Sequence, residues 1–406
     1  MCGAEHPAGG KRAPMTCPRC GITGILDVRY DYRAVARRLT RRALARRTDR
    51  SHWRYRELLP LGARARLPAL AVGWSPLEPA PALARHLGLG SLLLKDDGRN
   101  PSASLKDRAS AVGAVKAVEA RRGTIACAST GNAASSLACM AASLGLKAII
   151  FVPERAPEPK LAQLLMFGAT VLRVRGGYDK AWDLCQRSCE RWGWYNRNCA
   201  VNPFLVEGKK TVSLEICEQL EWRLPEWVAV SVGDGCTIAG TWKGIREMHQ
   251  LGFAKKLPRM LGVQATGCKP IADAFHSGKD LVPVEGGTRA DSIDCGTPRN
   301  WRKAVQALRE SHGEIVAVSD AEIMEAMNKT ARLSGVFGEP SGAASVAGVK
   351  RAIADGIIKK GESVCAVITG NGLKDIKAAI ETAGTPIHIP PDLGVLDKEL
   401  KKRKVL

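Results

Sequence analysis

Thr124-Ile125-Ala126-Cys127-Ala128-Ser129-Thr130-Gly131-Asn132-Ala133 is the stretch from which the fold is read. Its first half is a continuous apolar run, the pattern of a strand buried on both faces of a sheet. Its second half is a small polar turn that opens an alanine-rich helical stretch over 133–144. The same alternation recurs outward along the chain. Strand-like runs fall at 92–95, 124–128, 148–152, 170–174, 227–232, 261–264 and 364–369, and a second helical pattern covers 107–120. Strand and helix in alternation define an α/β fold with mostly parallel sheets. Ligands in such folds sit beyond the C-terminal ends of the strands, so the turns there are where chemistry is sought. The proline-rich stretch 76–81 reads as a connector.

The 406 residues, 45% hydrophobic and 25% charged, suffice for two or three domains. No run approaches the roughly 20 apolar residues of a membrane span. The first ten residues lack the apolar core of a secretory signal, so a cytoplasmic enzyme is expected. Most of the thirteen cysteines lie in apolar segments and read as buried thiols. The net charge of +21 is uneven. It concentrates over 33–66, where Arg37-Arg38, Arg41-Arg42 and Arg46-Arg47 alternate with Val35, Leu39 and Leu44, and again in the tail Lys401-Lys402-Arg403-Lys404. The first pattern predicts an amphipathic helix with a solvated basic face; the rival reading is a nucleic-acid partner.

Four turns carry the chemistry. Lys106 lies where the polar turn Lys95 to Ser104 meets a helix, and the positive end of that helix together with burial would favour a free amine. Ser129-Thr130-Gly131-Asn132 lets a ligand approach backbone N–H groups. Gly233-Asp234-Gly235-Cys236-Thr237, between a strand and a helix, is a glycine-rich anion cradle. Thr369, ending the last strand, offers a hydroxyl to the same cleft.

In this order the segments resemble the threonine synthase branch of the pyridoxal-phosphate enzymes of fold type II, the tryptophan-synthase-type fold. The resemblance runs from Tyr55-Arg56-Glu57-Leu58-Leu59-Pro60 through Phe337-Gly338-Glu339-Pro340-Ser341-Gly342 to Lys374-Asp375. It implies that Lys106 forms the internal Schiff base with pyridoxal 5'-phosphate. It implies that Asn132 bonds the phenolic oxygen, that residues 233–237 hold the phosphate, and that Thr369 faces the pyridine nitrogen. Ser129, Thr130 and Gly131 become the substrate loop. A hydroxyl opposite the pyridine nitrogen makes the ring a milder electron sink than a carboxylate would, which favours elimination. The implied reaction converts O-phosphohomoserine to threonine, with Lys106 moving the protons.

Four positions depart from the family pattern. Ala133 stands for a threonine, Ala200 for a serine and Leu205 for a phosphate-binding arginine, while Thr237 stands for an asparagine. All remove donors or a positive charge, and charge-assisted hydrogen bonds are typically worth about 1.5–3 kcal/mol each. Phosphohomoserine then binds poorly unless Lys209, Lys210 or another cation substitutes. The alternatives are a serine or threonine ammonia-lyase and a cysteate-synthase-like replacement enzyme. A carboxylate at Asp234 would repel the cofactor phosphate unless the side chain turns away to cap the Cys236 or Thr237 amides.

At the N-terminus, Cys17-Pro18-Arg19-Cys20-Gly21 resembles the second knuckle of the zinc ribbon of many relatives. Cys2, Cys17 and Cys20 are the candidate ligands, the set being completed by His6 or by a cysteine upstream of Met1. The expected organisation is a ribbon-like segment over 1–30, a larger cofactor-binding domain from 31–125 and 226–390, a smaller α/β domain over 126–225, and a basic tail over 391–406. A homodimer is expected by family analogy.

Overall fold

The computed structural model describes residues 2–8, 13–156, 158–199, 201–403 and 405; Ala200 and Lys404 lie outside them. The strands are β1 (Leu77–Pro79), β2 (Ser91–Asp96), β3 (Thr124–Ala128), β4 (Lys147–Pro153), β5 (Thr170–Val174), β6 (Tyr195–Asn196), β7 (Trp227–Ser231), β8 (Arg259–Ala265), β9 (Glu314–Val318) and β10 (Ser363–Ile368). One sheet runs β1-β2-β10-β7-β8-β9 and the other β5-β4-β3-β6. The pairings are parallel except that of β1 with β2.

The interior strand β10 shows why the apolar runs are so legible. Val364 to Ile368 are fully buried, because neighbours flank the strand and helices cover both faces. It pairs Ser363↔Ser91 through Ile368↔Asp96 on one side and Val364↔Trp227 on the other. The turns after β2, β10 and β7 therefore open at one edge of the six-stranded sheet. Five helices position the residues around those turns: α1 (Lys106–Glu119), α2 (Asn132–Leu144), α3 (Phe204–Gln219), α4 (Cys236–Gln250) and α5 (Pro340–Ala354).

Two expectations need correction. The stretch 76–81 is not a plain connector, since Leu77–Pro79 forms the edge strand β1 and Pro81 starts a helix. Pro79 is tolerated because an edge strand leaves one row of N–H groups unpaired. The basic region is two short helices, Tyr32–Arg38 and Arg41–Ala45, rather than one. Thr40 ends the first by capping the second, its hydroxyl accepting from the Ala43 N–H. Val35, Leu39 and Leu44 seat both helices in the main core. Several arginines of the stretch are spent internally: Arg54 is buried against Glu218, Arg47 pairs with Glu57, and Arg41 donates to the Phe253 carbonyl. No helix among the described residues is long and apolar enough to cross a membrane.

Candidate active site

Lys106 is the first residue of α1, one residue earlier than the pattern suggested. The turn before it is stitched to the end of β10: the Leu105 N–H donates to the Thr369 carbonyl at 2.8 Å and the Asn371 N–H to the Ala103 carbonyl at 3.0 Å. Ala103 holds a φ of 66°, a left-handed conformation uncommon for a residue with a side chain. Asp107 locks the turn by accepting from the Ser102 N–H at 2.7 Å, and burial pushes its carboxyl up to about 6. The Ser104 hydroxyl is buried without a hydrogen-bond partner. Burial, then the like charges of Lys209 and Arg197, bring the Lys106 amine down to about 8, against an ordinary 10.5. At neutral pH an appreciable fraction is the nucleophilic free amine.

Asn132 is likewise one residue ahead of its expected helix and opens α2. Its amide donates to Glu339 Oε1 at 2.7 Å and to Ser292 Oγ at 3.3 Å. Glu339, just before α5, is buried, and its carboxyl is raised by that burial. Thr130, Gly131 and Asn132 line a cleft of about 280 Å³ together with Arg289, Glu339 and Lys374. Ser129 is occupied locally, its hydroxyl accepting from the Gly131 N–H.

The glycine loop follows β7 and opens α4. Gly235 has φ 87°, and a Cβ there would lie 3.0 Å from the Asn300 carbonyl, so the loop requires glycine on both counts. Asp234 does turn away, but not to the Cys236 or Thr237 amides. It accepts from the Arg299 N–H at 2.6 Å, while the Cys236 thiol donates to its other oxygen at 3.5 Å.

Sequence reasoning missed what joins these parts. Arg197, just past β6, and Lys209, on α3, converge on Cys199: Nη1 and Nζ donate to its sulfur at 3.5 and 3.4 Å. Cys199 in turn lies near Cys236 of the glycine loop, and that neighbour, then Lys209 and Arg197, hold its thiol well below the ordinary value. Lys106 lies within electrostatic reach of Lys209, Cys199, Arg197 and Glu339. Lys106, Asn132, Thr369 and residues 233–237 thus share one locale at the strand ends. Leu205 takes no polar part; it is fully buried and fills the space above Gly113 of α1. Lys210 is committed elsewhere, to Glu207 at 2.6 Å and Glu247 at 2.8 Å.

At the N-terminus, the sulfurs of Cys2, Cys17 and Cys20 lie within 4.8 Å of one another. The His6 ring reaches the Cys17 thiol, and its Nε2 is buried with no partner. A second cleft, about 670 Å³, runs beside this segment between Cys2, His6, Trp242 and Lys303.

The fold and this strand-end site define a pyridoxal-phosphate enzyme of fold type II. A family profile described as "Pyridoxal-phosphate dependent enzyme" matches residues 69–370. The fold is also that of tomato threonine deaminase isoform 2 (TM-score 0.64, 23% identity, 77% of this chain and 88% of that one). It recurs in Escherichia coli diaminopropionate ammonia lyase (TM-score 0.66, 18% identity, 76% and 86%). Over nearly its whole length the chain is 40% identical to threonine synthase of Methanocaldococcus jannaschii, covering 94% of this chain and 95% of the relative. It is 37% identical to that of Methanosarcina acetivorans, over 97% and 96%. The chain belongs to the threonine synthase family and is a pyridoxal-phosphate-dependent lyase.

Proposed function

We propose that the chain converts O-phosphohomoserine and water to threonine and inorganic phosphate, with the cofactor on Lys106. The observation that carries this is that the chain sets the depressed Lys106 amine, Asn132 with its Glu339 partner, the Thr369 turn and the glycine loop that opens α4 at the same strand ends. The residues fit the group: the glycine loop admits a phosphate to α4 N–H donors, and the unpartnered Ser104 hydroxyl sits beside the lysine. Bound there, pyridoxal phosphate supplies an electron sink that acidifies substrate carbon–hydrogen bonds. Asn132, steadied by Glu339, orients the ring's phenolic edge. The turn Ser129 to Gly131, with the Thr130 N–H, would face the substrate carboxylate, while the Ser129 and Gly131 N–H groups hold the turn by donating to the Phe151 carbonyl and the Ser129 hydroxyl. Lys106 Nζ, the group that would hold the cofactor, would also take and return substrate protons, a task suited to an amine titrating near the working pH.

Purified protein should be yellow, and borohydride should fix a pyridoxyl group on the peptide containing Lys106. Supplied with O-phosphohomoserine it should release threonine and phosphate in equal amounts; a yellow protein releasing neither refutes the reading. The second reading, a serine or threonine ammonia-lyase, is favoured by Leu205, whose apolar packing leaves the family's arginine position without charge. Keto-acid formation from serine or threonine would support it.

We further propose that Cys2, Cys17, Cys20 and His6 hold zinc. The three gathered sulfurs and the unpartnered imidazole nitrogen match a Cys₃His donor set. Metal analysis should find one zinc per chain, lost in Cys17→Ser. A cytoplasmic homodimer divided near residues 125 and 226 remains our reading by family analogy.

A further inference from the structure

Arg197 is 1% exposed. Its Nε donates to Ser110 Oγ at 3.0 Å and its Nη1 to Cys199, but its Nη2 is buried with no partner. Lys209 is 2% exposed, and the Cys199 sulfur is its hydrogen-bond acceptor. Neither cation meets a carboxylate among the described residues, unlike neighbouring Lys210, which has two. Buried cations are normally paired, because desolvation without a counter-charge is costly. The one group set against both is the Cys199 thiol, which its Cys236 neighbour and then these cations hold well below its ordinary value, so a single sulfur serves two buried cations beside Lys106 and one donor, Nη2, is left over for an incoming anion. Lys209 stands four residues beyond Leu205, hence on the same face of α3.

Resting on the lyase reading above, we propose that Arg197 and Lys209 form an oxyanion subsite that receives the phosphate monoester of the substrate, the charge having moved one helical turn from position 205. The free Nη2 and the Lys209 ammonium supply a fork and a point charge, a set suited to a tetrahedral dianion. Both are in place before the ester bond breaks, so they stabilise charge as it collects on the departing oxygens. An arriving dianion competes with the Cys199 sulfur for the same donors. The cofactor's own phosphate has the same chemistry, and Lys209 lies between Arg197 and the glycine loop, within electrostatic reach of Asp234 and Cys236. The test therefore separates the two sources.

Holoenzyme carrying Arg197→Gln, Lys209→Gln or Arg197→Lys is compared with the parent for visible cofactor absorbance, KM for O-phosphohomoserine, and competitive inhibition by inorganic phosphate. Each Gln variant should keep its cofactor and weaken phosphate inhibition roughly tenfold or more, with KM rising in step. Arg197→Lys should recover part of that loss, which a packing role would not. Gln variants inhibited as strongly as the parent overturn the subsite. Variants that lose the cofactor, yet show unchanged phosphate inhibition once reconstituted, assign the pair to the cofactor's phosphate and overturn it too. A yellow parent that binds phosphate through these residues yet makes no threonine refutes the proposed reaction and leaves the subsite standing.

Discussion

Two groups of buried charge share helices α1 and α3, and the fold treats them in opposite ways. In the first, Arg108 donates to Asp97 and Glu215, each at 2.7 Å, and Lys95 donates to Glu215 at 2.8 Å, with every member fully buried. Two cations meet two carboxylates, and β2, α1 and α3 are bolted together. In the second, close by on the same helices, Lys106, Arg197 and Lys209 crowd a single sulfur. Balanced charge builds scaffold here; in the second group three cationic side chains share one lowered thiol, and the Lys106 amine is brought down. The lesson is that burial alone does not mark a functional ion; an excess of buried cations over their counter-charges is the feature on which the proposed subsite rests.

The comparison can be broken most forcefully at its two centres. Lys106→Ala should cut threonine release by at least about 10³-fold while the protein stays folded by circular dichroism. Glu215→Gln should do the reverse. It leaves Lys95 without a carboxylate and Arg108 with Asp97 alone, costing about 3–5 kcal/mol in urea unfolding, and touches catalysis only through stability. Its pH signature is set by the sign of the shift. Burial alone would raise the Glu215 carboxyl, but Arg108 and Lys95 overcome it and hold it at about 2, below an ordinary 4.5. That stabilisation is fully present above pH 4.5 and is lost as pH falls through about 2, so Glu215→Gln should flatten the acid limb of the stability profile.

Gly208→Ala sharpens the boundary between the groups. A Cβ there would stand 2.1 Å from the Arg108 carbonyl, so α1 and α3 must separate. About 1–3 kcal/mol of stability should be lost, with a disproportionate fall in turnover. The smallest effect is a shift of pH. Cofactor uptake by the apoenzyme should quicken about tenfold per unit as pH approaches about 8, where Lys106 loses its proton, and level off above it. In Lys209→Gln the break should move toward higher pH by less than about one unit, since one like charge is gone.

Much of this was readable without coordinates, and for a definite reason. A strand buried on both faces has no polar positions, so the 124–128 and 364–369 runs announced themselves, and the turns at their ends are local in sequence. Lys106, Asn132 and residues 233–237 could be found that way. β9 carries the same apolar run but ends at Ser319, without the glycine or proline turn that marked the others. β1 and β6, of three and two residues, are too short for periodicity. Arg197, Cys199 and Glu339 were out of reach because their meaning lies in what the fold sets beside them. The Leu205 substitution suggested a lost anion site, and only the folded chain brings Arg197 and Lys209 alongside Lys106. For Asp234 the sequence left the side chain's direction open, because its acceptor role toward Arg299 depends on a segment some 65 residues away.

Residue 208 is a joint with no clearance. Since backbone rests on backbone where α1 crosses α3, the spacing of the Lys106 and Lys209 amines is machined into the main chain rather than shimmed by neighbouring side chains. One added methyl group at this joint would put the two helices out of true.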